Sequence, residues 1–93
     1  QDSRGVVLED EVRFHYTIWL PDGTRVESTV GGVPHEREVI LLIPGVAEGI
    51  LGMRPEGRRK LVVRPELGPP NGYGSTAAAT TVVFEIQLIT ILT

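Results

Sequence analysis

Leu42-Ile43-Pro44-Gly45-Val46-Ala47-Glu48-Gly49-Ile50-Leu51-Gly52-Met53 is the stretch on which the fold turns. Proline suits the first turn of a helix, where its missing N–H would have no partner anyway, and glycine suits the position just past the helix end. Pro44-Gly45 therefore opens and Gly52 closes one short helix of about seven residues, with Val46, Ile50 and Leu51 turned inward. It is the only helical signal in the chain.

Upstream, Val12, Phe14, Tyr16, Ile18 and Leu20 alternate with Arg13, His15, Thr17 and Trp19. Period two marks a half-buried strand. Pro21-Asp22-Gly23 is a turn in which Pro sets φ and Gly supplies a positive φ, so Thr24–Ser28 returns as the second strand of a hairpin. Gly31-Gly32-Val33-Pro34 is a loop, and Glu38–Leu42 is expected to be a short apolar strand. Downstream, Pro55-Glu56-Gly57 is a turn, and Leu61 and Val63 alternate with charged neighbours as a strand. Pro65–Ala79, with three Pro and three Gly, is a long loop of the kind that often carries function. Thr81–Leu92 closes the chain as a strand, with Val82, Phe84, Ile86 and Leu88 on one face and Glu85 and Gln87 on the other. Strands with one helix to cover one face give an α+β class with an antiparallel sheet.

At 93 residues the chain is one domain, expected at 11–93 behind a polar, loosely held head at 1–10. A net charge of −3, from 9 basic and 12 acidic residues, argues against nucleic acid or an anionic membrane as partner. The basic cluster of Arg54, Arg58, Arg59 and Lys60 is read as a solvated turn and strand start. The absence of cysteine excludes disulfides, thiol catalysis and thiolate metal sites. No apolar run approaches the ~20 residues of a membrane span. With no initiator Met and no signal peptide at its start, the chain is expected to be a mature product or a trimmed fragment.

No catalytic motif stands out. His15 and His35 are too few for a metal site without Cys partners, and no Ser is paired with a positioned His or Asp, so no metal or cofactor is expected. On pattern alone Tyr16 and Phe84 are core, and Glu27 is a hydrogen-bonding group rather than an acid or base. Trp19 falls on the polar face of its strand, opposite Phe14 and Tyr16; a lone exposed indole is the candidate anchor for an interface.

Several segments in order resemble one family. Val12-Arg13-Phe14-His15-Tyr16-Thr17, Leu20-Pro21-Asp22-Gly23-Thr24, Val26-Glu27-Ser28, Ile43-Pro44-Gly45 with Glu48-Gly49, Arg59-Lys60-Leu61-Val62-Val63 with Pro65-Glu66-Leu67, and Thr81–Leu88 are similar to the FKBP-type peptidyl-prolyl cis-trans isomerases. The resemblance covers Glu11–Leu92 and implies a twisted antiparallel sheet wrapped over one short α-helix. The implied chemistry is rotation about an X-Pro amide, whose barrier is ~18–20 kcal/mol because resonance is lost on twisting. A dry apolar pocket favours the less charge-separated twisted amide, with no nucleophile, metal or cofactor.

The pocket residues implied are Tyr16, Val26, Glu27, Leu42, Ile43, Val46, Tyr73 and Phe84, with the Ile43 N–H fixing the substrate carbonyl. The match departs from the family where the aromatics should be: Val26 stands for Phe, Val46 for Trp, Glu27 for Asp, and no aromatic occurs near Pro34-His35. Trp-to-Val would leave a void of roughly 80–90 Å3, worth on the order of 2 kcal/mol if unfilled; Ile18, where the family has Gly, is the expected filler. A divergent member of weak or lost isomerase activity is implied, binding proline-containing segments. The alternative is a non-catalytic subunit or assembly factor of a larger photosynthetic complex. Pro65-Glu66-Leu67-Gly68-Pro69-Pro70 resembles members of the chloroplast thylakoid lumen, which sets the expected location.

Overall fold

The computed structural model describes residues 4–69 and 80–93. Among these lie β1 (Glu11–Trp19), β2 (Arg25–Ser28), β3 (His35–Glu38), α1 (Pro44–Ile50), β4 (Arg58–Val63) and β5 (Val82–Ile91). The five strands form one antiparallel sheet in the order β2-β1-β5-β4, and β3 also pairs with β1. β5 takes one edge of β1 along its length; β3 takes residues 11–14 of the other edge and β2 residues 17–19.

Alternation decides what is buried. Val12, Phe14 and Ile18 from β1 and Val82, Phe84, Ile86 and Leu88 from β5 fill the core under α1, which contributes Val46 and Ile50. On the other face, His15 Nδ1 is hydrogen-bonded to Thr29 Oγ1 at 2.9 Å, an ordinary strand residue. Gly23 takes φ +95 in the hairpin turn, as the turn chemistry demands. The helix sits close over β4: a Cβ added at Gly49 would meet Leu61, and one added at Gly45 would meet Val63. Arg59 of the basic cluster closes the helix, donating from Nη1 to the Gly49 carbonyl at 2.7 Å and the Leu51 carbonyl at 2.8 Å.

Three expectations are corrected. Glu38–Leu42 is not a strand: β3 ends at Glu38, and Val39–Leu41 form a 3-10 turn. Only Val39 of that turn is buried, while Ile40 and Leu41 are exposed. Leu51 does not face inward, because the helix ends at Ile50. The head is tied down over residues 4–10. Val6 is buried, its N–H donates to the Met53 carbonyl, and its own carbonyl accepts from the Gly52 N–H, both at 2.9 Å.

Asp10 is 3% exposed and accepts from Arg4 Nη1 at 2.7 Å, Arg4 Nη2 at 2.8 Å and the Val7 N–H at 2.9 Å. The Arg4 guanidinium holds its carboxyl down to about 2, from 3.8, with the Val7 N–H adding to the effect against the opposing cost of burial. A carboxyl depressed by folding contributes stability that is present above its unfolded pKa and is lost as pH falls through the window from 3.8 to about 2. Arg4 is half-exposed, so solvent screening leaves roughly 1 kcal/mol. Unfolding free energies of the wild type and Asp10→Asn, from urea titration, should differ by that amount at about pH 7 and converge near pH 2. A gap that persists at the acid end would mean the loss is one of packing, not of charge.

Candidate functional site

A cleft of about 350 Å3 opens between the sheet, the 3-10 turn and the first turn of α1. Ile18 lies at its centre, because cross-strand partners point to the same face: β1 pairs Ile18 with Phe84 of β5 on one side and with Glu27 of β2 on the other. Tyr16 and Phe14 continue the β1 wall. β3 adds His35, directly opposite Phe14, and Arg37, one alternation further on. Leu41, Leu42 and Ile43 form the rim, Val46 of α1 the floor, and Pro69 enters from the start of the long loop.

The aromatic wall is a connected set. Tyr16 lies 6.0 Å from Phe84 and 6.1 Å from Phe14, both tilted, and His35 stands edge-on to Phe14 at 5.4 Å and to Tyr16 at 6.0 Å. Centroid spacings of this size are those at which edges and faces of aromatic rings attract. The Tyr16 hydroxyl donates to the Glu27 carboxylate. Burial, then the Glu27 hydrogen bond and charge, push the Tyr16 phenol up to about 12, so it stays a neutral donor. The pair fixes the Tyr16 ring and occupies one carboxylate oxygen of Glu27.

Val46 and Ile18 are each 3% exposed. Ile18 points into the core as the filler must. The space over Val46 is nonetheless not closed, since both residues line an open cleft. The Ile43 N–H finds no acceptor among the described residues, while the Ile43 carbonyl accepts the Val46 and Ala47 N–H groups at 3.0 and 2.9 Å. A half-buried donor without a partner is an invitation to a ligand carbonyl.

The family model of FKBP-type peptidyl-prolyl cis-trans isomerase matches residues 3–89, nearly the whole chain. The chain belongs to this family. It is 36% identical over 85 residues to the chloroplastic peptidyl-prolyl cis-trans isomerase FKBP20-2 of Arabidopsis thaliana, over 87% of this chain and 35% of that protein. The FK506-binding protein of Neisseria meningitidis serogroup C is 33% identical over 104 residues, covering 96% of this chain and 88% of that one. FkpA from Escherichia coli superposes with a TM-score of 0.82 at 27% identity, over 97% of this chain and 43% of that chain. The chain thus spans 35% of the length of the chloroplastic relative.

In this FKBP domain six residues named from the sequence share the cleft: Tyr16, Glu27, Leu42, Ile43, Val46 and Phe84. Val26 does not line it; it packs against the core beside it. Glu27 stands in regular register opposite Ile18 and so enters the cleft, while Val26 falls at a bulge between the Ile18–Glu27 and Trp19–Arg25 pairs and, without a cross-strand partner, packs on the core beside the cleft. Tyr73 lies outside the described residues. Trp19 is on the outer face as expected, but half-buried rather than exposed. The reading from sequence missed Phe14, His35, Arg37, Leu41 and Pro69. His35 held a signal, since an imidazole is itself a planar ring at the position where the family's Phe is absent. Arg37 held one too, as the next residue of the same strand face.

Proposed function

We propose that this FKBP domain binds proline-containing segments in the cleft and catalyses X-Pro rotation slowly. The observation that carries this reading is the Ile43 N–H, which has no acceptor among the described residues, at the rim of a cleft floored by Val46. That N–H holds the carbonyl of the residue before proline. The apolar wall then surrounds the amide and favours its twisted form, while Tyr16 and Glu27, tied to each other, keep the wall in place. No proton transfer is required. Slowness follows from Val46, which offers the proline ring an aliphatic contact where the family has an indole face.

The test is isomerase turnover on a Pro-containing peptide, whose spontaneous exchange takes ~10–100 s. Acceleration is expected, at least about tenfold weaker than that of a full-aromatic relative, a deficit of ~1.4 kcal/mol in transition-state binding. Parity with such a relative overturns the slowness. Absence of any acceleration favours a second reading, an interaction module in a larger protein complex.

One observation supports that second reading. Trp19, Val83 and Val62 pair across β1, β5 and β4 and form an apolar row on the sheet face that α1 does not cover. Val62 is 70% exposed. Trp19→Ala is then expected to weaken association by roughly 2 kcal/mol in a pull-down titration. Since the indole is half-buried against its neighbours, some loss of thermal stability accompanies it. Unchanged association sinks the module.

The chloroplastic relative supports a plastid location, and the string Pro65–Pro70 supports the thylakoid lumen within it. A net charge of −3 argues against nucleic acid as partner. No helix of the described residues is long and apolar enough to cross a membrane. Import into isolated chloroplasts followed by fractionation checks the compartment.

A further inference from the structure

β3 reads His35-Glu36-Arg37-Glu38, base and acid in strict alternation. A strand sends alternate side chains to opposite faces, so the two bases share one face and the two acids the other. The pairing fixes which is which: His35 is opposite Phe14 and Arg37 opposite Val12, both core-face residues, and both bases line the cleft. Glu36 turns away and is bound by Arg13 Nε at 2.6 Å. Arg37 is exposed and makes no ion pair or hydrogen bond among the described residues. The one carboxylate in the cleft, Glu27, stands opposite Ile18 and takes the Tyr16 hydroxyl. Ile18 and Phe14 are roughly 13 Å apart along β1 at the ordinary rise per residue, so Glu27 and His35 enter the cleft from separate backbone positions, with Tyr16 between them.

We infer that His35 and Arg37 make the β3 end of the cleft a selector for proline-containing segments that carry a carboxylate side chain beside the proline. The inference rests on the reading of the cleft as a proline-binding site and adds to it a charge preference. An aliphatic or aromatic wall at this end would reward an apolar neighbour of proline. A guanidinium with no partner among the described residues rewards an acid, since it has none of those contacts to give up on binding one, and a lysine in the same place is repelled. The imidazole beside it offers a ring nitrogen to the same carboxylate while its ring edge remains packed on Phe14 and Tyr16. A plainer account is that Arg37 is an inward-pointing charge that keeps the β3 edge from pairing with another sheet. That account predicts no preference among ligands.

Peptides with Glu, Gln or Lys beside a single proline, on either side of it, distinguish the two. Binding is followed by NMR titration and turnover by exchange spectroscopy, with a Leu-Pro peptide as reference. The Glu peptide is expected to exceed the Gln peptide about three- to fivefold, the scale of one solvent-exposed charge pair, with the Lys peptide below both. The order should flatten at roughly 0.5 M salt and invert, Lys over Glu, in Arg37→Glu. Arg37→Gln, with no charge at all, should remove the order, and circular dichroism confirms that each variant is folded. Binding of the Leu-Pro peptide with no dependence on charge, or an order that Arg37→Glu leaves in place, overturns the inference and leaves the proline site standing. Failure of every peptide to bind overturns the proline site and this inference with it.

Discussion

Val46→Trp is expected to raise affinity for a proline-containing peptide about tenfold when combined with Ile18→Gly, and much less by itself. Tryptophan exceeds valine by roughly 80–90 Å3, and the whole cleft measures about 350 Å3, so its total volume holds an indole and a proline ring once the space beside Val46 is cleared. Its face supplies the broad apolar contact that the floor lacks. The complication is Ile18, buried at 3% exposure beside that floor, in the place where the family has glycine. An indole added against an unchanged Ile18 is overpacked, at a cost of about 1–3 kcal/mol in stability. Removing the isoleucine side chain relieves it. Turnover and melting temperature of the wild type, both single variants and the double variant form a cycle with strong positive coupling as the expected outcome. If Val46→Trp alone gains as much as the pair, Ile18 is not the residue that compensates for the lost indole.

Gly45→Ala is expected to destabilise the fold by about 2–3 kcal/mol, while Gly49→Ala stays within about 1 kcal/mol of the wild type. Both glycines face β4, and a bare clash count would rank Gly49 as worse. Its added Cβ meets Leu61 Cδ1 more closely than that of Gly45 meets Val63 Cγ1, which lies at 2.7 Å. What the obstacle is made of reverses the ranking. Leu61 is only partly buried, so its methyl ends swing aside, and alanine gains about 1 kcal/mol over glycine in helix propensity. Val63 is 1% exposed and β-branched, hence locked at χ1, and the Leu67 carbonyl closes the same space at 3.2 Å. The helix must lift from the sheet, and Val46, the next residue, lifts with it. Urea denaturation of the two variants decides the matter; equal losses would mean that the helix–sheet spacing is set elsewhere.

The long strands and the helix were legible because each has a strong local cause. β1 and β5 alternate over nine and ten residues, and Pro44-Gly45 marks a helix start that nothing else in the chain imitates. β3 was not legible. All four of its side chains are polar, so period two is written in the sign of charge and not in hydrophobicity. The apolar run after it looked like the strand instead. Four consecutive apolar residues, 39–42, have no period at all and suit a buried strand or a turn equally.

The cleft divides the same way. Its aromatic and aliphatic members followed from resemblance and alternation. Val26 is the extra residue of a bulge, packed beside the cleft and not in it, and a bulge leaves no mark in composition. His35 and Arg37 were not legible because their strand is wholly polar, so no hydrophobic period shows which of its side chains enter the cleft.

The position of β5 bears on how the molecule comes into being. It is the last strand in chain order, yet it lies between β1 and β4 and joins them; Val12 finds its partner in Ile91. A ribosome that has delivered everything through Thr80 has produced two halves of a sheet with no middle. Both β1 and β4 then hold an open backbone edge that only β5 satisfies. Pairings across such sequence distances put folding in the slow range, of the order of milliseconds to seconds. The emerging chain is thus obliged to wait, with exposed strand edges, for β5, and open edges of this kind are where an unfinished sheet pairs wrongly.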